Sequence, residues 1–259
     1  MNELFAVLGD DYSGPIHEEV LFENRLEQHP TALKALMGKR LVGASETGDG
    51  WRMNESRLKR ITGSNKIVAR GMYENFSTFV PSHKLLIETN HKPQIRGTDR
   101  AVWRRLVLVP FETVFWNPDK AESGPEHLRQ DKQLPKKFAA ERSGILAWMV
   151  RGCMEWQRDG LRAPEIVTEA TSEYQREQDV VGLFIRECCI DGDPKFEVSA
   201  ATLFAAYTRW CEAAGERATN QRRFGQSLTE RGYIRFTSNG TKYRGIGILA
   251  RGCGPTEMP

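Results

Sequence analysis

The chain is poor in the residues that would mark it as secreted, membrane-bound or zinc-stapled. It has five cysteines in 259 residues, at positions 153, 188, 189, 211 and 253, and no two form a C-x-x-C pair. An odd, unpatterned set of thiols argues against a disulfide framework and points to a reducing compartment. The five histidines (17, 29, 83, 91 and 127) are scattered, with no H-E-x-x-H, so no structural zinc is expected. No apolar stretch approaches the ~20 residues that cross a bilayer. The opening MNELFAVLGDDYSG carries acids and no basic n-region, unlike a secretory leader. A cytoplasmic protein without membrane contact is the expectation. Charge of one sign is also lacking, since the formal net charge is only +3. Internal repeats and low-complexity tracts are absent.

The amounts that are present are ordinary for a globular protein: 39% hydrophobic and 27% charged residues. The length allows a sizeable core and two domains. Two short apolar runs stand out in the first half, Arg40-Leu41-Val42-Gly43-Ala44-Ser45-Glu46 and Lys84-Leu85-Leu86-Ile87-Glu88-Thr89-Asn90. Continuous short runs of this kind read as buried parallel strands. Ligands of open α/β sheets sit beyond the carboxyl ends of such strands, where Glu46 and Asn90 would meet.

Around them the pattern predicts a helical opening, a helical stretch at 31–37 and a short helix at 54–62 stopped by Gly63. Lys66–Arg70 and Ser77–Val80 read as a hairpin, and Leu106–Phe111 as a further apolar run broken by Pro110. Residues 117–135 look like a solvated connector, and 136–180 like helix. Trp148, Met149 and Trp156 are expected in the core.

In the last third, Leu203, Phe204, Tyr207, Trp210 and Cys211 form one helical stripe over Ala200–Ala213. Asn220–Glu230 is a second helix, stopped by Gly232. Tyr233–Thr237 and Thr241–Leu249 alternate as strands around Ser238-Asn239-Gly240, an Asn-Gly hairpin signal. Helix, helix, β-ribbon is the order of a winged helix, placed here at 181–252. Residues 209–251 hold nine Arg/Lys and three Glu, a local charge of +6 (9 − 3) that suits a phosphate backbone. Arg222, Arg223, Lys242 and Arg244 are its candidate DNA contacts.

The ordered strings RLVGASE, LKRITGSNKIVARGMY, FVPSHKLLIETNHKP and DRAVWRRLVLVPF resemble the superfamily 3 helicase core of phage- and plasmid-type primase–helicases, the group that includes the poxvirus primase–helicase. The resemblance continues through GILAWMVRG into the tail. It implies an α/β, AAA+-type P-loop ATPase core over residues 1–116, a helical segment over 117–180 and the winged helix. It also implies DNA unwinding in replication by a hexameric homo-oligomeric ring that uses ATP and Mg²⁺. Glu46 then matches the Walker B acid acting on Mg²⁺ and the attacking water, and Asn90 the sensor. Arg104 or Arg105 matches a finger reaching a neighbouring subunit's nucleotide. Lys66 and Arg70 fall in the hairpin that meets DNA.

One departure is large. The family's G-x-x-x-x-G-K-[ST] loop occurs nowhere in the sequence, and Gly38-Lys39-Arg40 lacks both the earlier glycine and the hydroxyl. The expectation is a chain that begins just after that loop. Two other readings stay open: a non-enzymatic winged-helix DNA-binding protein, and a ring subunit that donates only an arginine finger. Taken singly, each motif also has a plain account, as a strand-end loop, a turn or a surface charge pair.

Overall fold

The computed structural model describes residues 1–23, 31–45, 50–95, 99–120 and 123–249. It is a mixed α/β protein of two compact units, one holding residues 1–95 and 99–172 and the other the chain from Glu173 onward.

The elements of the first unit are α1 (Asn2–Leu8), β1 (Ser13–Pro15), α2 (Thr31–Lys34), β2 (Leu41–Ser45), α3 (Glu55–Ile61), β3 (Ile67–Ala69), β4 (Ser77–Phe79), β5 (Lys84–Glu88), α4 (Arg100–Trp103), α5 (Leu134–Ala140), α6 (Arg142–Asp159) and α7 (Glu165–Glu177), whose last turn runs into the second unit. Strands β1, β2 and β5 form a parallel sheet in that order. β2 is its centre, and Val42 and Ala44 are buried there. Gly43 lies under α1: a Cβ at that position would collide with the Met1 thioether and stand 2.8 Å from the Phe5 ring. The only side chain that fits is therefore none. Asn54 caps α3 by accepting from the Arg57 amide at 3.0 Å, and Leu58 and Ile61 are the residues that α3 buries. Asp99 caps α4 in the same way through Ala101 N, at 2.7 Å.

The core expected around Trp148, Met149 and Trp156 does not form in this unit. The run Leu106–Phe111 pairs with no strand among the described residues, and Val107, Val109 and Phe111 are exposed. Helix α6 buries none of its residues: Trp148 and Trp156 are exposed, and Met149 is only half-buried. Its apolar positions are spread around much of the helix, so they do not gather into one stripe against the unit's own core.

The second unit contains α8 (Val180–Cys188), β6 (Cys189–Asp191), β7 (Glu197–Ser199), α9 (Ala200–Ala214), α10 (Gln221–Glu230), β8 (Ile234–Thr237), β9 (Thr241–Arg244) and β10 (Ile246–Ile248). β7, β9 and β8 form an antiparallel sheet with β9 central, while β6 pairs with β10. Gly245, at φ 91°, separates the two strands expected as one over 241–249. The core is an aromatic cluster. Phe224 stacks on Tyr207 with ring centroids 4.6 Å apart, and Phe184 meets Tyr207 edge-on at 5.5 Å. Such pairs add to what area burial alone supplies. Side-chain caps set three helix starts: Asp179 on α8, Ser199 on α9 and Asn220 on α10. A left-handed Gly215 ends α9.

Candidate nucleotide and nucleic-acid sites

β2 and β5 are neighbours and run parallel, with Leu41 opposite Lys84 and Ser45 opposite Glu88. Their carboxyl ends thus emerge at one end of the sheet. Glu46, the next residue after β2, lies outside the described residues. Past β5, the Thr89 hydroxyl accepts from the His91 amide at 3.1 Å and donates to the His91 carbonyl at 2.6 Å. This turn presents Asn90 on the surface. Ser45 and Glu88 are exposed as well, so the strand ends form a polar, open rim.

Arg104 and Arg105 follow α4 but differ. Arg105 turns back, its Nη1 donating to the Ala101 carbonyl, and is half-buried. Arg104 is exposed and makes no ion pair among the described residues; it lies near enough to help hold the Asp99 carboxyl below its usual range. The larger causes of that lowering are the Lys59 side chain, at 2.9 Å, and then the Ala101 amide.

β3 and β4 form the expected hairpin, with Ile67 opposite Phe79 and Ala69 opposite Ser77. Ile67 and Ala69 are buried, while Lys66 and Arg70 are exposed at its ends. The loop is pinned at its base. Lys34 reaches Glu74 at 3.1 Å and Ser77 Oγ at 2.9 Å. Beyond that anchor the tip carries Met72, Tyr73 and Phe76, all exposed, with Tyr73 fully so and at a left-handed φ of 61°. The Arg70 guanidinium lies 5.2 Å from the Phe76 ring centre, a cation–π distance. The cations of this loop are candidates by sequence, and its aromatics join them by structure. Their signal was available: three large apolar residues in a stretch that is otherwise turn-like.

In the second unit, Arg222 and Arg223 sit exposed on the first turn of α10, opposite buried Phe224 and Leu228. Neither they nor Lys242 makes an ion pair among the described residues. Arg244 does. Its Nε and Nη2 both donate to Glu197 Oε1, at 3.0 and 2.7 Å, and its guanidinium rests 4.7 Å from the Phe236 ring centre. Arg244 is thus a neutralised cation that ties β9 to β7. Arg231 is also engaged, with Asp179 and Ser227. The turn Asn239–Gly240 has positive φ at both residues, 51° and 106°, as a tight hairpin end requires.

No helix of the described residues is long and apolar enough to cross a membrane, and none of their His, Cys, Asp and Glu side chains cluster in threes as a metal site would need.

Residues 176–244 match the protein family described as Poxvirus D5 protein-like. The chain is similar to "Putative helicase L207/L206" of Acanthamoeba polyphaga mimivirus, 28% identical over 81% of this chain and 23% of that protein. It is similar to "Putative helicase 022R" of Frog virus 3, 29% identical over 73% of this chain and 20% of the relative. "Putative primase C962R" of African swine fever virus is 24% identical over 82% of this chain and 23% of its own length. These matches bear out the resemblance to a primase–helicase family. The chain spans about a fifth to a quarter of the length of these relatives.

Proposed function

We propose that this chain is a DNA-handling part of a replicative primase–helicase, with an incomplete ATPase core in its first unit and a winged helix in its second. The observation that carries the reading is the parallel pairing of β2 and β5, whose register aligns the strand ends that lead to Glu46 and Asn90. In sequence a carboxylate follows β2 and an amide follows β5, a pair of groups that suits a Mg²⁺-bound nucleotide and the water that attacks it. Gripping the β- and γ-phosphates is a different task, and the residues here fit it poorly, since the sequence has no glycine-rich loop with its lysine. Arg104 is the better finger, because Arg105 is held by its own helix. A finger acts on a neighbour's nucleotide, so this role belongs to an assembled ring.

DNA would be met at two places. The pinned hairpin offers Lys66, Arg70 and the aromatic tip, a combination that suits the stacked bases and phosphates of a single strand. In the second unit, the order helix, two strands, two helices, hairpin and a last strand supports the winged-helix reading, with α10 entering a major groove and the β8–β9 turn lying along the backbone. Binding of labelled single- and double-stranded DNA to the whole chain, followed by anisotropy, tests this. The variant K66A/R70A/Y73A should weaken single-strand binding, and R222A/R223A should weaken duplex binding. A chain that binds neither DNA at low salt overturns the proposal.

The absent phosphate loop favours a second reading, in which the chain binds DNA without turning over ATP. A steady-state assay showing ATP hydrolysis that is lost in E46Q rejects it.

A further inference from the structure

The helix pair α3–α4 carries a charge imbalance of which the readings above use only Arg104. The last turn of α3 supplies Lys59 and Arg60, and α4 with its cap supplies Arg100, Arg104 and Arg105. Asp99 is the acid among them, an excess of +4 (5 − 1). The nearby acids Glu18, Glu19 and Glu55 gather at the other end of α3, where Arg57 reaches the Glu19 carbonyl. Half-buried Lys34 and exposed Lys132 and Lys137 of this unit are paired with carboxylates, whereas exposed Lys66, Arg70 and Lys84 make no ion pair among the described residues. Here Arg60, Arg100 and Arg104 are exposed with no ion pair among the described residues.

Asp99 explains how so many cations share one place. Its carboxylate takes Lys59 at 2.9 Å and the Ala101 amide at 2.7 Å, and Arg104 contributes to its lowered pKa. The place that Lys59 and Arg104 share is therefore already filled by an anion of the chain itself. A compact triphosphate would have to displace it. The remaining positive charge lies on the flanks, at Arg60 and Arg100. Charge spread along two helices complements an anion that is itself extended.

We propose that the exposed side of α3 and α4 is a further nucleic-acid contact, one that binds the phosphate backbone of a single DNA strand without reading its sequence. It rests on the reading of the chain as a DNA-binding protein.

The experiment follows the whole chain binding a fluorescent oligothymidine at several salt concentrations. In R60Q/R100Q the slope of log K against log salt should fall by about 1.4, at about 0.7 per lost single-strand phosphate contact. Circular dichroism identical to wild type keeps folding out of the result. D99N retains a capping side chain but removes the central anion, so it should tighten binding. Failure of wild type to bind at all would strike the underlying reading. Wild-type binding with an unchanged slope in R60Q/R100Q overturns this inference alone. So does loss of inorganic tripolyphosphate binding in R60Q/R100Q while oligothymidine binding stays intact, because the cations would then serve a compact ligand.

Discussion

The pairing of Arg244 with Glu197 makes the electrostatics of the second unit predictable residue by residue. By sequence, Arg222, Arg223, Lys242 and Arg244 are equal candidates for phosphate contacts. By structure, three make no ion pair among the described residues and one is neutralised. If those three each displace one counterion from duplex DNA, they contribute a salt slope of about 2.7, or about a 40-fold loss of affinity when salt rises fourfold. Removing Arg222 and Arg223 together should lower the slope by about 1.8. Removing the whole ion pair, as R244A/E197A, leaves the net charge unchanged and should leave the slope nearly unchanged. Glu197→Gln releases the Arg244 guanidinium and should raise the slope by about 0.9, a gain from deleting a residue that touches no DNA in this reading. Fluorescence anisotropy with a short duplex, titrated at several salt concentrations, reads all four proteins. A slope in R244A/E197A reduced as far as that of R222A/R223A would refute the reasoning, since a paired cation would then be releasing counterions.

Two further outcomes follow from packing and burial. Phe224 is 1% exposed and stacks on Tyr207, so Phe224→Ala should destabilise the second unit by about 3–5 kcal/mol, measured by chemical unfolding. His83 is buried just before β5, and neither ring nitrogen makes a hydrogen bond of ordinary geometry among the described residues. Desolvation holds its pKa below 6.5, with Lys84 adding to the effect and the Ile61 backbone opposing it. The unfolded chain then binds the extra proton first, so stability of the first unit is full above about pH 6.5 and falls as pH drops through that value. Unfolding in urea at a series of pH values should show this loss, and a pH-insensitive midpoint would contradict it.

Much of the frame is legible in the sequence because it rests on short-range rules. The runs at 41–45 and 84–88, the alternation of Ile67 and Ala69, the stripe from Leu203 to Cys211 and the turn at Asn239–Gly240 all declare themselves within a few residues. What stayed hidden depends on partners far along the chain. Glu197 lies 47 residues from Arg244, so no local pattern reveals the ion pair. β6 and β7 are three residues each, too short for alternation to show. Trp148 and Trp156 misled in the other direction: composition argued for a core that this stretch of chain does not wrap around them. Of the candidate site, the relative order of the strand ends was readable. The difference between Arg104 and Arg105 is visible only in the fold, where the Arg105 side chain turns back onto the Ala101 carbonyl.

The placement of tryptophan gives the molecule two optical signatures. Beyond residue 172 the sequence has a single tryptophan, Trp210, which is buried with its indole N–H donating to Glu187 at 2.8 Å. Loosening of the aromatic cluster around it would appear as a red shift arising from that one chromophore. Trp148 and Trp156 already emit from water, so they respond to what comes to rest on α6, by a blue shift and by protection from soluble quenchers. Replacing Trp51, Trp103 and Trp116 together with one set or the other would let unfolding of the second unit and occupancy of α6 be followed separately.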